Sequence, residues 1–261
     1  MLMSAESSLS HFVMSASQTY VVFGASGSVG STLVGQLKSA GANVVCGVRN
    51  PDKVARTAEL DGCEVHKVEA AITDSIDACM KAAAEKFGQV DGVANCIGSL
   101  LLKPAHLTSN DEWDATITTN LSSSFAIVRA AGKVMRQSGG SVVLVSSAAA
   151  QIGLANHEAI SAAKAGIIGL TLAAAATYSN RGIRINAVAP GLVRSELTRK
   201  LWETDQAEEL SSQMHALGRL GEPSDIATAI AFLLDPAHDW ITGQTIAIDG
   251  GLSSVLTRMK M

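Results

Sequence analysis

Tyr20-Val21-Val22-Phe23-Gly24-Ala25-Ser26-Gly27-Ser28-Val29-Gly30 decides how this chain is read. An apolar run ends at a glycine, two more glycines follow at intervals of three, and helical spacing begins at Val29. Glycine allows the tight turn, lets backbone approach a phosphate, and lets helix pack closely on strand. The free N–H groups and the dipole at the helix start favour an anion. At the first strand-to-helix turn this pattern reads as a pyrophosphate cradle, with Gly24, Ser26, Gly27, Ser28, Val29 and Gly30 as the candidate residues.

The second strand closes with Gly47-Val48-Arg49-Asn50. A ribose 2′-hydroxyl is usually held there by a carboxylate. Val48 occupies that position and Arg49 follows. A guanidinium suits a 2′-phosphate, so the expected cofactor is NADP(H) rather than NAD(H).

Outward from this stretch, β runs alternate with helical spacing. Strands are predicted at 20–23, 43–48, 64–68, 92–96, 141–145, 184–189 and 245–249. Helices are predicted at 29–39, 75–87, 111–137, 159–178 and 224–234. Such alternation implies an α/β fold, a Rossmann-type doubly wound parallel seven-stranded sheet in a single domain. That domain is placed at 19–261. Residues 1–18 are Ser-rich without Lys or Arg and read as a flexible N-terminal extension that lacks the basic start of a signal peptide.

With 261 residues, 47% of them hydrophobic, the chain can bury a large core. A net charge of −4 gives no basic surface for nucleic acid or an acidic membrane. Cys46, Cys63, Cys79 and Cys96 share no CxxC spacing and read as free thiols in a reducing, cytoplasmic setting. No residues are assigned to a metal. The 159–178 helix is apolar almost all round, with Lys164 its one charge. A helix apolar on every side must be covered on every side. One sheet face cannot do this, so a homo-oligomer is expected, a dimer or a homotetramer.

Further motifs resemble the short-chain dehydrogenase/reductase family from about Tyr20 to Leu252, in particular its compact 3-oxoacyl-carrier-protein-reductase-like branch. Asn95-Cys96-Ile97-Gly98 is similar to the Asn-Asn-Ala-Gly that ends the family's fourth strand. Asn120 in Thr119-Asn120-Leu121 stands where the family keeps an active-site asparagine, and Ser146-Ser147 where it keeps its serine. Pro190-Gly191, with Val193 and Ser195 after it, resembles the loop that holds the nicotinamide. Gly218-Arg219-Leu220-Gly221-Glu222-Pro223 and Thr242-Gly243-Gln244 through Asp249-Gly250-Gly251 match the C-terminal signature. The resemblance implies cofactor contacts from Asn95, Gly98, Lys164, Pro190, Gly191, Val193 and Ser195, and catalytic work by Asn120, Ser147 and Lys164.

The family's helix carries a tyrosine four residues before its lysine, which passes a proton to or from the substrate oxygen. Here Ile160 stands four residues before Lys164, with Ser147 at the family's spacing. The candidate replacement is His157, which shares a helix face with Ile160 and Lys164. A water between Ser147, Asn120 and Lys164, or Ser161, is the alternative. A second departure is Ala71 in Ala71-Ile72-Thr73-Asp74, where the family commonly has an adenine-contacting Asp. Thr73 and Asp74 read there as a helix cap.

The resulting expectation is an NADPH-dependent reductase of a carbonyl or activated double bond in a small, partly apolar substrate, with segment 191–217 as a lid. Leu100, Leu101 and Leu102 add to the apolar wall. The alternatives are an inactive NADP(H)-binding sensor or scaffold, and a non-redox isomerase or lyase with Lys164 or His157 as the base.

Overall fold

The computed structural model describes residues 18–256. The proposed extension therefore lies, apart from Gln18, outside the described residues.

Seven parallel strands form one sheet in the order β3-β2-β1-β4-β5-β6-β7. They are β1 (Thr19–Phe23), β2 (Asn43–Val48), β3 (Glu64–Lys67), β4 (Gly92–Asn95), β5 (Gly140–Val145), β6 (Ile183–Pro190) and β7 (Thr245–Ile248). The order reverses between β1 and β4, which opens a crevice beyond the carboxyl ends of the strands. Helices α1 (Ser28–Ser39), α2 (Thr73–Phe87), α3 (Asn110–Ile117), α4 (Ser123–Val134), α5 (Glu158–Tyr178), α6 (Asp205–Gln213) and α7 (Pro223–Leu234) complete the fold.

Two cores hold these layers. Val21, Phe23, Val93, Val142 and Leu144 face α2, α4 and α5 through Met80, Ile127 and Ile167. The alternate residues Tyr20, Val22, Ala94, Val143 and Val188 face α1 and α7 through Leu33, Leu37, Ile226 and Ile230. Successive strand residues point to opposite faces, so a sheet covered on both sides needs unbroken apolar runs. Full burial of one such side chain stabilises the fold by about 1.5–3 kcal/mol.

Two expectations are corrected here. The helix predicted at 111–137 is broken by a π turn at Thr118–Ser122 and ends at Val134. The Asn120 side chain donates to the Thr116 carbonyl at 2.9 Å inside that turn, and a polar side chain that competes for helix carbonyls distorts the ladder. Thr73 does not cap α2. It is the first helical residue, and the cap position falls on Ile72 with no side-chain bond. Ser75 instead donates to the Ile72 carbonyl at 2.6 Å. Helix α6 lies within the 191–217 segment that is expected to form a lid.

Helix α5 is long and apolar enough, by length and composition, to cross a membrane. Here it packs along the sheet, burying Ile160, Ala163, Lys164, Ile167 and Thr171. Its outer face stays open. Leu172 is 56% exposed, and Phe125 on the neighbouring α4 is 55% exposed. All four cysteines are free thiols.

Candidate active site

The β1–α1 turn sets the first part of the site. Gly24 has φ +73°, a left-handed conformation that glycine adopts without strain. A Cβ on Gly24 would lie 2.6 Å from the Cys96 carbonyl carbon, and one on Gly30 would collide with the Gly24 carbonyl oxygen. Gly24 N–H donates to the Gly47 carbonyl at 2.8 Å, which places the turn beside the end of β2. Gly27 is the N-cap of α1 and brings no side chain to its free N–H groups. Ser26 and Gly27 are exposed, and Ser28 and Val29 are half-buried.

Arg49, just past β2, is exposed and has no ion pair among the described residues. Val48 is 1% exposed and packs in the core facing α1 and α7. Its side chain is therefore turned away from solvent, and the exposed polar residues of this corner are Arg49 and Asn50, whose side chain accepts the Asp52 N–H at 3.1 Å. An uncapped helix start, a turn with no room for Cβ atoms and an unpaired guanidinium suit an anionic dinucleotide with a 2′-phosphate.

The second part is a cavity of about 340 Å³ at the carboxyl ends of β4, β5 and β6. Val29, Gly98, Ser147, His157, Ile160, Lys164, Pro190, Gly191, Val193 and Ser195 all reach it. Residues far apart in sequence thus meet on one surface. Leu100, Leu102, Leu154, Leu197, Leu201, Met214 and Leu252 make most of the remaining wall aliphatic, and Leu101 is not part of it.

Lys164 is the buried cation of this cavity. Its Nζ donates to the Val145 carbonyl at 2.9 Å. Burial lowers its pKa to about 8, and the nearby Cys96 thiol opposes the shift. Cys96 itself is pushed up to about 12 by burial. Ser146 also reaches the cavity, and its hydroxyl donates to the Lys164 carbonyl at 2.8 Å and so fixes α5 against β5. Ser147 Oγ accepts the Ala149 N–H at 3.1 Å, which leaves the hydroxyl proton free to point into the cavity.

Asn120 and Asn95 stand behind the wall. Asn120 Oδ1 accepts the Ser99 N–H at 3.2 Å, and its Nδ2 donates to Ser99 Oγ at 2.9 Å. A Cβ on Gly98 would lie 3.4 Å from Asn120 Oδ1 and 3.8 Å from Lys164 Nζ. Gly98 therefore lies in van der Waals reach of both groups. Asn95 donates to Ser124 Oγ at 3.0 Å and accepts the Ile97 N–H at 3.0 Å, so it shapes the end of β4.

Ile160 is 3% exposed and sits one turn before Lys164 on the same cavity wall. Neither tyrosine approaches it. Tyr20, in β1, donates to Gln18 Oε1 at 3.0 Å, and Tyr178 packs against Gly132 at the far end of α5. His157 is the N-cap residue of α5. Its Nδ1 lies 2.7 Å from the Ala155 carbonyl. A carbonyl only accepts, so the proton sits on Nδ1 and Nε2 is left as an acceptor. The residue before it, Asn156, has φ +63°, and its carbonyl accepts the Lys103 N–H at 2.7 Å.

Sequence reasoning missed His215, which also reaches the cavity. It belongs to no motif, and only the folded chain brings it beside Gly191.

The chain matches, over residues 24–253, a family described as Enoyl-(Acyl carrier protein) reductase. It is 32% identical over 250 residues to the 3-oxoacyl-[acyl-carrier-protein] reductase FabG of Staphylococcus aureus, covering 92% of this chain and 99% of that protein. A short-chain type dehydrogenase/reductase from Mycobacterium ulcerans superposes with a TM-score of 0.86 at 28% identity, over 90% of both chains. The chain belongs to the short-chain dehydrogenase/reductase family. Within this family, the solved structure of ElxO with NADP bound superposes with a TM-score of 0.86 at 26% identity, over 92% of this chain and 100% of that one. The sheet order and the crevice between β1 and β4 are thus those of a short-chain dehydrogenase/reductase.

Proposed function

We propose that this protein is an NADPH-dependent reductase of a carbonyl or activated double bond in a small, largely apolar compound. NADP(H) is the cofactor, with its pyrophosphate on the β1–α1 turn, its 2′-phosphate at Arg49 and its nicotinamide on the 190–195 loop. When bound it supplies the hydride. Lys164 holds the nicotinamide ribose. The Ser147 hydroxyl donates to the substrate oxygen, and Asn120 fixes Ser99 and the Lys164 environment from behind. The 191–217 segment covers the substrate as a lid, since Leu197, Leu201 and Met214 from it line the cavity.

The supporting observation is the aliphatic cavity that joins Ser147 and Lys164 to the 190–195 loop. Ile160 stands where the family keeps its tyrosine. The proton must then come through Ser147, from solvent, or from His157, whose protonated form alone could give one at Nε2. Absorbance of reduced nicotinamide, followed with a panel of ketones, quinones and enones, tests this reading. Oxidation of NADPH by one of these classes is the expected result. Tight NADPH binding with no oxidation by any of them would overturn it.

The buried isoleucine favours a second reading, a cofactor-binding sensor or scaffold without turnover, and that same outcome would support it. The open face of α5 and α4, with Leu172 and Phe125, is the surface a second copy of the chain would cover, as expected for a homo-oligomer.

A further inference from the structure

His215 follows α6 and is 4% exposed. Its Nε2 accepts the Leu192 N–H at 3.1 Å, and its Nδ1 lies 2.8 Å from the Ser211 backbone carbonyl. The carbonyl requires the proton on Nδ1, which leaves Nε2 as the acceptor for Leu192. One tautomer therefore satisfies both partners, and neither nitrogen is left over.

These partners belong to different parts of the site. Leu192 follows Pro190-Gly191 at the end of β6. A Cβ on Gly191 would lie 2.7 Å from His215 Nε2 and 3.0 Å from Asp249 Cα, so the loop is pressed against the ring. Ser211 lies in the last turn of α6, and its hydroxyl donates to the Leu201 carbonyl at 2.9 Å. The imidazole thus clasps the 190–192 loop to α6, and through Ser211 to the turn at Glu196–Leu201. Arg194, just past this loop, also reaches α6 through Glu208 at 2.6 Å, with both side chains about a third exposed, where an ion pair contributes little. The bridge from Val193 to Gly221 anchors the loop to the backbone before α7 and does not involve α6.

We propose that His215 is a positioning residue that makes the 190–193 loop and α6 move as one unit, so that binding a nicotinamide on the loop closes α6 over the cavity. The inference rests on the cofactor reading above, and coupling of this kind is reciprocal. Loss of the imidazole takes these partners from the half-buried Leu192 N–H and Ser211 carbonyl, a penalty of a size that weakens binding about tenfold.

The test is hydrogen exchange and NADPH titration on the full chain. In the unaltered protein, NADPH should slow exchange in residues 190–193 and 205–213 together. His215→Phe should raise the NADPH dissociation constant about tenfold and abolish the slowing in 205–213. His215→Gln, which keeps an acceptor for Leu192, should restore both. Slowing confined to 190–193 in the unaltered protein would overturn the proposal without any variant. So would wild-type affinity and wild-type slowing in His215→Phe. No NADPH binding by the unaltered protein would overturn the cofactor reading itself, and this inference with it.

Discussion

Ile160 and Lys164 stand one turn apart on α5 and face the same cavity, and Lys164 Nζ donates to the Val145 carbonyl at 2.9 Å. An ammonium held in this way has no phenol to act on. Ile160→Tyr should therefore raise ketone reduction, since a positioned general acid contributes about 10²–10⁴ in rate. Steady-state kinetics with NADPH and one ketone measures it. An unchanged rate would mean that Ser147 and Lys164 are not arranged around a reacting oxygen.

Arg49 is the second point of leverage. A charge-assisted bond to a phosphate contributes about 1.5–3 kcal/mol. Arg49→Ala should weaken NADPH binding by about 10- to 100-fold and leave NADH binding nearly as it was. Fluorescence titration with both cofactors reads the ratio. Val48→Asp is the poorer test, because Val48 is 1% exposed and a carboxylate there would be buried.

Lys164 links the site to pH. Burial lowers its pKa from the ordinary 10.5 to about 8 in the folded chain. Between these values the unfolded chain binds the proton that the folded chain has released, so stability rises with pH across that window. Below about 8 both states are protonated and this contribution is flat. Buried thiols such as Cys96, pushed from 9.0 up to about 12, oppose this rise at the alkaline end. The quantity to read is therefore the difference in thermal unfolding between the unaltered protein and Lys164→Met, which should grow in favour of the unaltered protein from about pH 8 to 10. Equal slopes in the two proteins would contradict the shift.

The strands and most helices were legible in the sequence because a covered parallel sheet leaves unbroken runs such as Val142 to Leu144, and because Gly24, Gly27 and Gly30 mark the first turn. The π turn at Asn120 was not, since it depends on a side chain that bonds the Thr116 carbonyl. Helix α6 was hidden by its composition: it buries no residue, so no apolar stripe announces it. The motifs named Ser147, Lys164 and the 190–195 loop, but their meeting on one wall is a property of the sheet order. His215 carries no local signal at all.

The outer face of α5 and α4 leads to a test of assembly. Phe125 and Leu172 are exposed at 55% and 56% on two helices that touch each other, and exposed apolar side chains of this size mark a contact surface. Sedimentation should find the unaltered protein as a dimer or larger. Leu172→Glu with Phe125→Glu should shift it to smaller species while leaving the circular dichroism unchanged. A monomeric unaltered protein would leave this face without the proposed role.

The most direct test of the whole account is titration of the purified protein with NADPH and NADP⁺, followed by nicotinamide fluorescence and by calorimetry. The glycine turn and Arg49 predict saturable binding of both, tighter than that of NADH. No saturable signal at millimolar concentration would contradict the account, while the fold of the chain would stand.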